Sequence, residues 1–172
     1  IESTATNYNS NQDTYNAFRL ANAAMNEQYT WNSDENDSEL TWRPFQLGFI
    51  LLTLPSIINP FHSDRKTMDL LWFPTGGGKT EAYLCIVSFL AFYRRMKTDN
   101  EITDGSGVTA LMRYTLRLLT TQQFERASAM ILACELIRRN KIPEITCSKN
   151  LGNTPFSIGL WVGDGATPNK FE

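Results

Sequence analysis

Apolar and polar positions recur along this chain with a period that changes from block to block. The first 40 residues are rich in Asn, Ser, Thr, Asp and Glu. Within them "DTYNAFRLANAAMNEQY" sets Tyr15, Phe18, Ala21 and Met25 at helical spacing, with Asn22 interrupting the face. "NSDENDSE" ends that pattern as a solvated acidic loop. From Trp42, "WRPFQLGFILLTLPSII" predicts a buried helix. Pro44 is tolerated in its first turn, where a missing N–H costs no intrahelical bond. "NPFHSDRKT" reads as a loop, "MDLLWF" as a short apolar strand, and "PTGGG" as a turn opening a helix from Lys79 to Met96.

After the loop "TDNEITDGSG", "VTALMR" predicts the next strand. "RLLTTQQFERASAMILACELIRR" is a long amphipathic helix with Leu118, Phe124, Ala127, Met130, Ile131, Cys134 and Ile137 as its stripe. "KIPEITCSKNLGNTP" is a loop and "FSIGLWVG" a further strand, in which Trp161 alternates with Ile158 and Leu160. Strands alternating with helices imply βαβ crossovers, hence an α/β fold with a parallel sheet flanked by helices. The expected division is a polar N-terminal segment with one helix at 1–40 and a nucleotide-binding domain at 41–172.

Composition narrows the function. A chain of 172 residues, 42% hydrophobic, can bury the core of one domain. It begins at Ile1 rather than Met, as a fragment or a processed chain would. A net charge of −2 and a pI near 5.5 exclude a broad basic surface that grips duplex DNA by charge, but leave room for a narrow track. Cys85, Cys134 and Cys147 are an odd, sparse set, as expected of reduced thiols in the cytoplasm. Cys85 and Cys134 fall on apolar helix faces, so both read as core. His62, the one histidine, sits in a polar loop, and no zinc set is expected. The longest apolar run, Leu47–Leu54, is too short to span a bilayer, and no membrane partner is expected.

The strongest chemical signal is "DLLWFPTGGGKTEAYL", Asp69 to Leu84. Gly76, Gly77 and Gly78 let backbone N–H groups approach an anion, and the helix behind directs its positive dipole end to the same point. Lys79 would place an ammonium on the β- and γ-phosphates, and Thr80 a hydroxyl on Mg²⁺. The strict pattern GxxxxGKS/T has Gly where Phe73 stands. Upstream, "TWRPFQLGFI" resembles the adenine-reading Q motif of superfamily 2 helicases, which implies that Gln46 pairs with adenine. Downstream, "YTLRLLTTQQFERA" resembles the motif Pro-Thr-Arg-Glu-Leu-Ala-x-Gln that contacts single-strand phosphates. Arg117, Leu119 and Gln122 fit it, while Thr115 replaces Pro. Hydroxyls of Thr115, Thr120 and Thr121 at a helix start, with an Arg, can bind one backbone at low net charge.

Together these blocks look like the first RecA-like domain of a superfamily 2 helicase. "TWRPFQLGFILLTLPSI", "DLLWFPTGGGKTEAYL", "LMRYTLRLLTTQQFERA" and "FSIGLWVGDGATPN" further resemble the large helicase subunit of DISARM, a bacterial anti-phage defence system, and the likeness extends to "AFRLANAAM". That resemblance implies ATP hydrolysis with Mg²⁺, binding of DNA with a single-stranded part, and a DUF1998-type partner subunit. The implied nucleotide set is Arg43, Gln46, Thr75, Gly76, Gly77, Gly78, Lys79, Thr80 and Glu81, with Lys79 and Thr80 catalytic and Thr80 also the Mg²⁺ ligand. The implied nucleic-acid set is Thr115, Arg117, Thr120, Gln122 and Gly163.

No DEAH-like box, Ser-Ala-Thr motif or second RecA-like domain with its arginine finger follows within the chain. Hydrolysis in this class needs an acid and a facing finger. The expectation is therefore the front part of a motor, truncated before the DEAH-like box and inactive alone. Asp164, flanked by Gly163 and Gly165, reads as a turn residue rather than the missing acid. The alternative is a phosphate-loop ATPase acting as a nucleotide switch or scaffold without unwinding.

Overall fold

Helix packing organises the chain. The computed structural model describes residues 2–31, 39–74, 76–97, 107–114 and 117–161, with side chains from residue 11 of the first helix and residue 120 of the last. Helix α1 spans Glu2–Trp31, α2 Pro44–Ile58, α3 Lys79–Met96 and α4 Arg117–Arg138. A single 3₁₀ turn, Ser63–Lys66, follows α2. Helix α3 is central: α1, α2 and α4 all pack on it, and α1 also packs on α4.

The core lies where α1, α3 and α4 meet. Ala17, Leu20, Ala21, Ala24 and Met25 of α1 are fully buried against Leu84, Cys85, Phe89 and Phe92 of α3 and Met130, Ala133, Cys134 and Ile137 of α4. Three alanines on α1 let its backbone approach closely, and the two phenylalanines fill the space between helices. The buried face of α1 is rotated from the expected one. Ala21 and Met25 lie in it, Phe18 flanks it, and Tyr15 is exposed. Ala17, Leu20, Ala21 and Ala24 form a stripe at the same helical spacing, and the close approach that its three alanines allow decides for that stripe over bulk. Asn22 does not interrupt the helix. Its Nδ2 donates to Phe18 O at 2.8 Å, and its Oδ1 accepts from Trp42 Nε1 at 2.7 Å, which fixes the approach to α2.

Helix α2 begins at Pro44, and the Gln46 side chain caps it by accepting from Arg43 N at 2.8 Å. Its apolar residues surround the helix, yet only Gln46, Ile50, Thr53 and Leu54 are buried. Leu51 and Leu52 face outward, so the buried-helix expectation holds for one face. Helix α3 has the predicted bounds. On α4 the stripe holds at Ala127, Met130, Cys134 and Ile137, with Ile131 partly buried; Leu118 lies outside the described side chains.

The expected α/β fold with a RecA-like parallel sheet is overturned. Among the described residues there is no strand, and all regular structure is helical. Residues 68–73, 108–113 and 156–161 enter no β-ladder. Met68, Leu70, Trp72, Val108 and Leu111 are exposed, and Trp161, expected to alternate into a core, is 97% exposed. The reason is physical. A helix closes its hydrogen bonds within itself, whereas a strand exists only through a neighbour, and apolar alternation cannot report whether that neighbour is there.

The far end of the helices is cross-linked. Glu135 of α4, 8% exposed, accepts from Arg138 at 2.6 and 2.7 Å, from Arg139 at 2.6 Å and from Phe156 N at 3.0 Å. Arg138 also donates to Gly152 O at 2.7 Å. The guanidinium of Arg95 lies 4.8 Å from the centre of the Phe156 ring, whose edge meets Phe92. Lys149 pairs with Asp13 of α1 at 2.6 Å. The arginines at these two helix ends hold a carboxylate, a ring and loop carbonyls.

Candidate functional site

The Gly-rich loop is shaped from both sides. Gly76 and Gly78 have φ of 79° and 88°, the left-handed region that glycine enters without strain, and Gly78 caps α3. A Cβ at Gly77 would stand 2.9 Å from Phe73 Cδ1 and 3.0 Å from Pro74 O. One at Gly78 would stand 2.7 Å from Gln46 Nε2. Conformation thus calls for glycine at 76, close packing at 77, and both at 78. Phe73, the departure from the strict pattern, forms one wall and stacks on Phe45 of α2 with ring centres 3.8 Å apart and planes 13° apart.

Two residues at the start of α2 reach this loop across more than thirty positions of sequence. Gln46, 4% exposed, donates from Nε2 to Gly78 O at 2.7 Å. Arg43 donates from Nη1 to Gly77 O at 2.9 Å. Lys79 folds back, its Nζ donating to Phe73 O at 2.5 Å and Pro74 O at 3.0 Å. Thr80 is half-buried on the first turn of α3. Glu81 turns to α4, where one oxygen pairs with Arg126. The structure therefore gathers Arg43, Gln46, Gly76, Gly77, Gly78 and Lys79 around one loop, with Thr80 and Glu81 behind it. Thr75 lies outside the described residues.

These residues fit a triphosphate. The glycines leave the loop backbone open to close approach, and a helix start with no side-chain cap lies behind it. The Lys79 ammonium rests on two neutral carbonyls, weaker partners than phosphate oxygens. The second set is less visible. Thr115, Gly163 and Asp164 lie outside the described residues, and Arg117 opens α4 with its side chain undescribed. Thr120 is half-buried and Gln122 exposed on the early turns of α4.

Three residues of this neighbourhood escaped the sequence reading. Phe73 is signalled only as the aromatic standing in place of Gly, Phe45 only as the aromatic before Gln46, and Arg126 by nothing beyond its polar position on a helix. Burial lowers the Arg126 pKa below its usual value. Burial also pushes the Cys85 thiol up to about 12 and raises that of Cys134, in line with both as inert core residues. His62, rather than hanging free, caps the 3₁₀ turn by accepting from Asp64 N at 3.2 Å. Among the described residues no helix is long and apolar enough to cross a membrane.

Over 94% of its length this chain is 45% identical to the DISARM protein DrmA of Bacillus paralicheniformis (strain ATCC 9945a / NCIMB 11709 / CD-2). The match runs over 176 residues and spans 15% of that relative's length. The DISARM likeness expected from the quoted blocks is borne out as closeness to DrmA. No family model matches the chain. No solved structure matches it either.

Proposed function

We propose that this chain is the ATP-binding part of a nucleic-acid-stimulated helicase or translocase of DISARM-type anti-phage defence. Its closeness to DrmA supports the defence setting. The observation that carries the nucleotide reading is the convergence of Arg43 and Gln46 on the carbonyls of Gly77 and Gly78. A loop used only as a turn needs no such pair, whereas a base-reading residue must stand beside the phosphates it serves.

In this reading the backbone of Gly76–Gly78 cradles the phosphates. Lys79 leaves the carbonyls of Phe73 and Pro74 for the terminal phosphates, and Thr80 orients Mg²⁺. Bound Mg²⁺ neutralises charge on the phosphates as the terminal one is transferred. Gln46 reads adenine. Thr115, Arg117, Thr120, Gln122 and Gly163 serve single-stranded DNA, and a DUF1998-type subunit is the partner in the complete assembly.

The test is Lys79→Ala in the complete protein. DNA-stimulated ATP turnover falls by about 100-fold or more, as for loss of one clamp on a transferring phosphoryl group, while the thermal midpoint stays close to wild type. Turnover within a few-fold of wild type would overturn the phosphate site. Turnover indifferent to every nucleic acid would replace the motor with a nucleotide switch.

A further inference from the structure

Glu81 stands two residues after Lys79, on the first turn of α3, and its carboxylate spans two neighbours. Oε1 pairs with Arg126 of α4. Oε2 is buried with no hydrogen-bond donor among the described residues, and a Cβ at Gly78 would lie 3.3 Å from it. The carboxylate thus lies beside Gly78 of the phosphate loop and pairs with α4. Its side chain is 24% exposed and that of Arg126 37%. With both side chains partly exposed, the pair is screened only in part, and each charge keeps some access to water when it is broken. It borders an open cleft of about 340 Å³ whose other walls include Met25, Tyr29 and Glu125.

Arg126 lies one helical turn after Gln122, on the same face of α4. Its helix begins with the residues expected to contact a nucleic-acid strand. We propose that the Glu81–Arg126 pair couples the two sites, so that the state of the phosphate loop sets the position of α4. The inference rests on the nucleotide reading above and adds how that site is regulated. Lys79 and Glu81 share one helical turn, and Lys79 is held by Phe73 and Pro74 carbonyls that a phosphate would replace. When Lys79 changes partner, the first turn of α3 shifts, and Glu81 carries that shift to Arg126. A rigid helix then delivers it to the early turns of α4. Arg126 is a positioning residue here, since it touches neither nucleotide nor strand.

The complete protein tests this. Affinity for a single-stranded DNA oligonucleotide is measured with and without a non-hydrolysable ATP analogue. In wild type the two affinities differ by about fivefold or more, the usual size of coupling between sites. Arg126→Met brings the ratio to within about twofold, with analogue binding and DNA-free ATP turnover kept, and Arg126→Lys restores most of it. A brace without coupling would change midpoints but leave the ratio. Arg126→Gln, shorter and uncharged, supplies the same ratio should Arg126→Met fail to fold. A ratio unchanged in these variants overturns the coupling while leaving the nucleotide site intact. A wild-type ratio of one also overturns it, and analogue binding lost in Lys79→Ala then shows that the nucleotide reading itself survives.

Discussion

The two ends of α3 solve opposite problems. At its C-terminal end Phe92, Arg95 and Met96 are buried, and the neighbouring Glu135 is held by two arginines and a backbone N–H. Apolar contact and charge-assisted bonds there fix one arrangement. At its N-terminal end Arg43 and Gln46 each give one hydrogen bond and Lys79 two to loop carbonyls, beside a stack of two rings and the Glu81–Arg126 pair. Each of those bonds can be exchanged for a ligand atom at small net cost, because a hydrogen bond replaced by another is nearly neutral. One end specifies the fold, and the other is left exchangeable so that it can bind.

The comparison is sharpest where the core is emptied. Phe92→Ala removes a fully buried ring that touches Phe156. It should destabilise the chain by about 3–5 kcal/mol, seen as a lower thermal or urea midpoint. ATP-analogue affinity per folded molecule should not change. Lost affinity with an unchanged midpoint would mean that the two ends are not separable.

Glu135 gives the next effect, and it carries a pH signature. The hydrogen bond from Arg138, then those from Phe156 N–H and Arg139, hold its carboxyl at about 2, below the ordinary 4.5. A depressed folded-state pKa adds stability above the unfolded value and loses it as pH falls through the folded one. Glu135 therefore stabilises the chain fully above about pH 4.5 and progressively less down to about 2. Glu135→Gln should cost about 2–3 kcal/mol at neutral pH. The gap between variant and wild type should close in acid. A gap constant from pH 7 to 3 would show that the arginines do not act through charge.

How much of this was legible follows from what each signal depends on. Pro44 and the three glycines are local signals, and α2 and α3 start where those residues place them. The stripe of α4 was readable because one face of a long helix is buried. The face of α1 was misjudged because Tyr15 outweighed alanines whose value is close approach. The three apolar runs with a strand-like pattern are not decidable from sequence, since pairing belongs to a neighbour and not to the run. At the site, Lys79 and the glycines were placed by spacing. The reach of Gln46 to Gly78 across 32 residues and the Glu81–Arg126 link across 45 arise from packing alone.

The smallest effect separates two roles for Gln46. Its amide spends one donor and one acceptor within the chain, Oε1 accepting from Arg43 N and Nε2 donating to Gly78 O. To read adenine it can offer its second N–H and second lone pair, or exchange one of these bonds for an equivalent one from the base. Gln46→Ala loses both. The cap contributes about 0.5–1 kcal/mol, so the thermal midpoint should fall slightly. In the complete protein the Michaelis constant for ATP should rise by about fivefold or more, in keeping with about 1 kcal/mol or somewhat more for the lost bonds. If Gln46 reads the base, GTP is unaffected and the preference for ATP narrows. If it only positions the loop, ATP and GTP weaken together and the preference stays. Gln46→Glu sharpens the distinction. It keeps an acceptor for Arg43 N but replaces the donor to Gly78 O with a charge facing a carbonyl, so the loop should loosen while the helix start survives. Equal loss for both nucleotides in both variants would assign Gln46 to the loop and leave base choice to another residue.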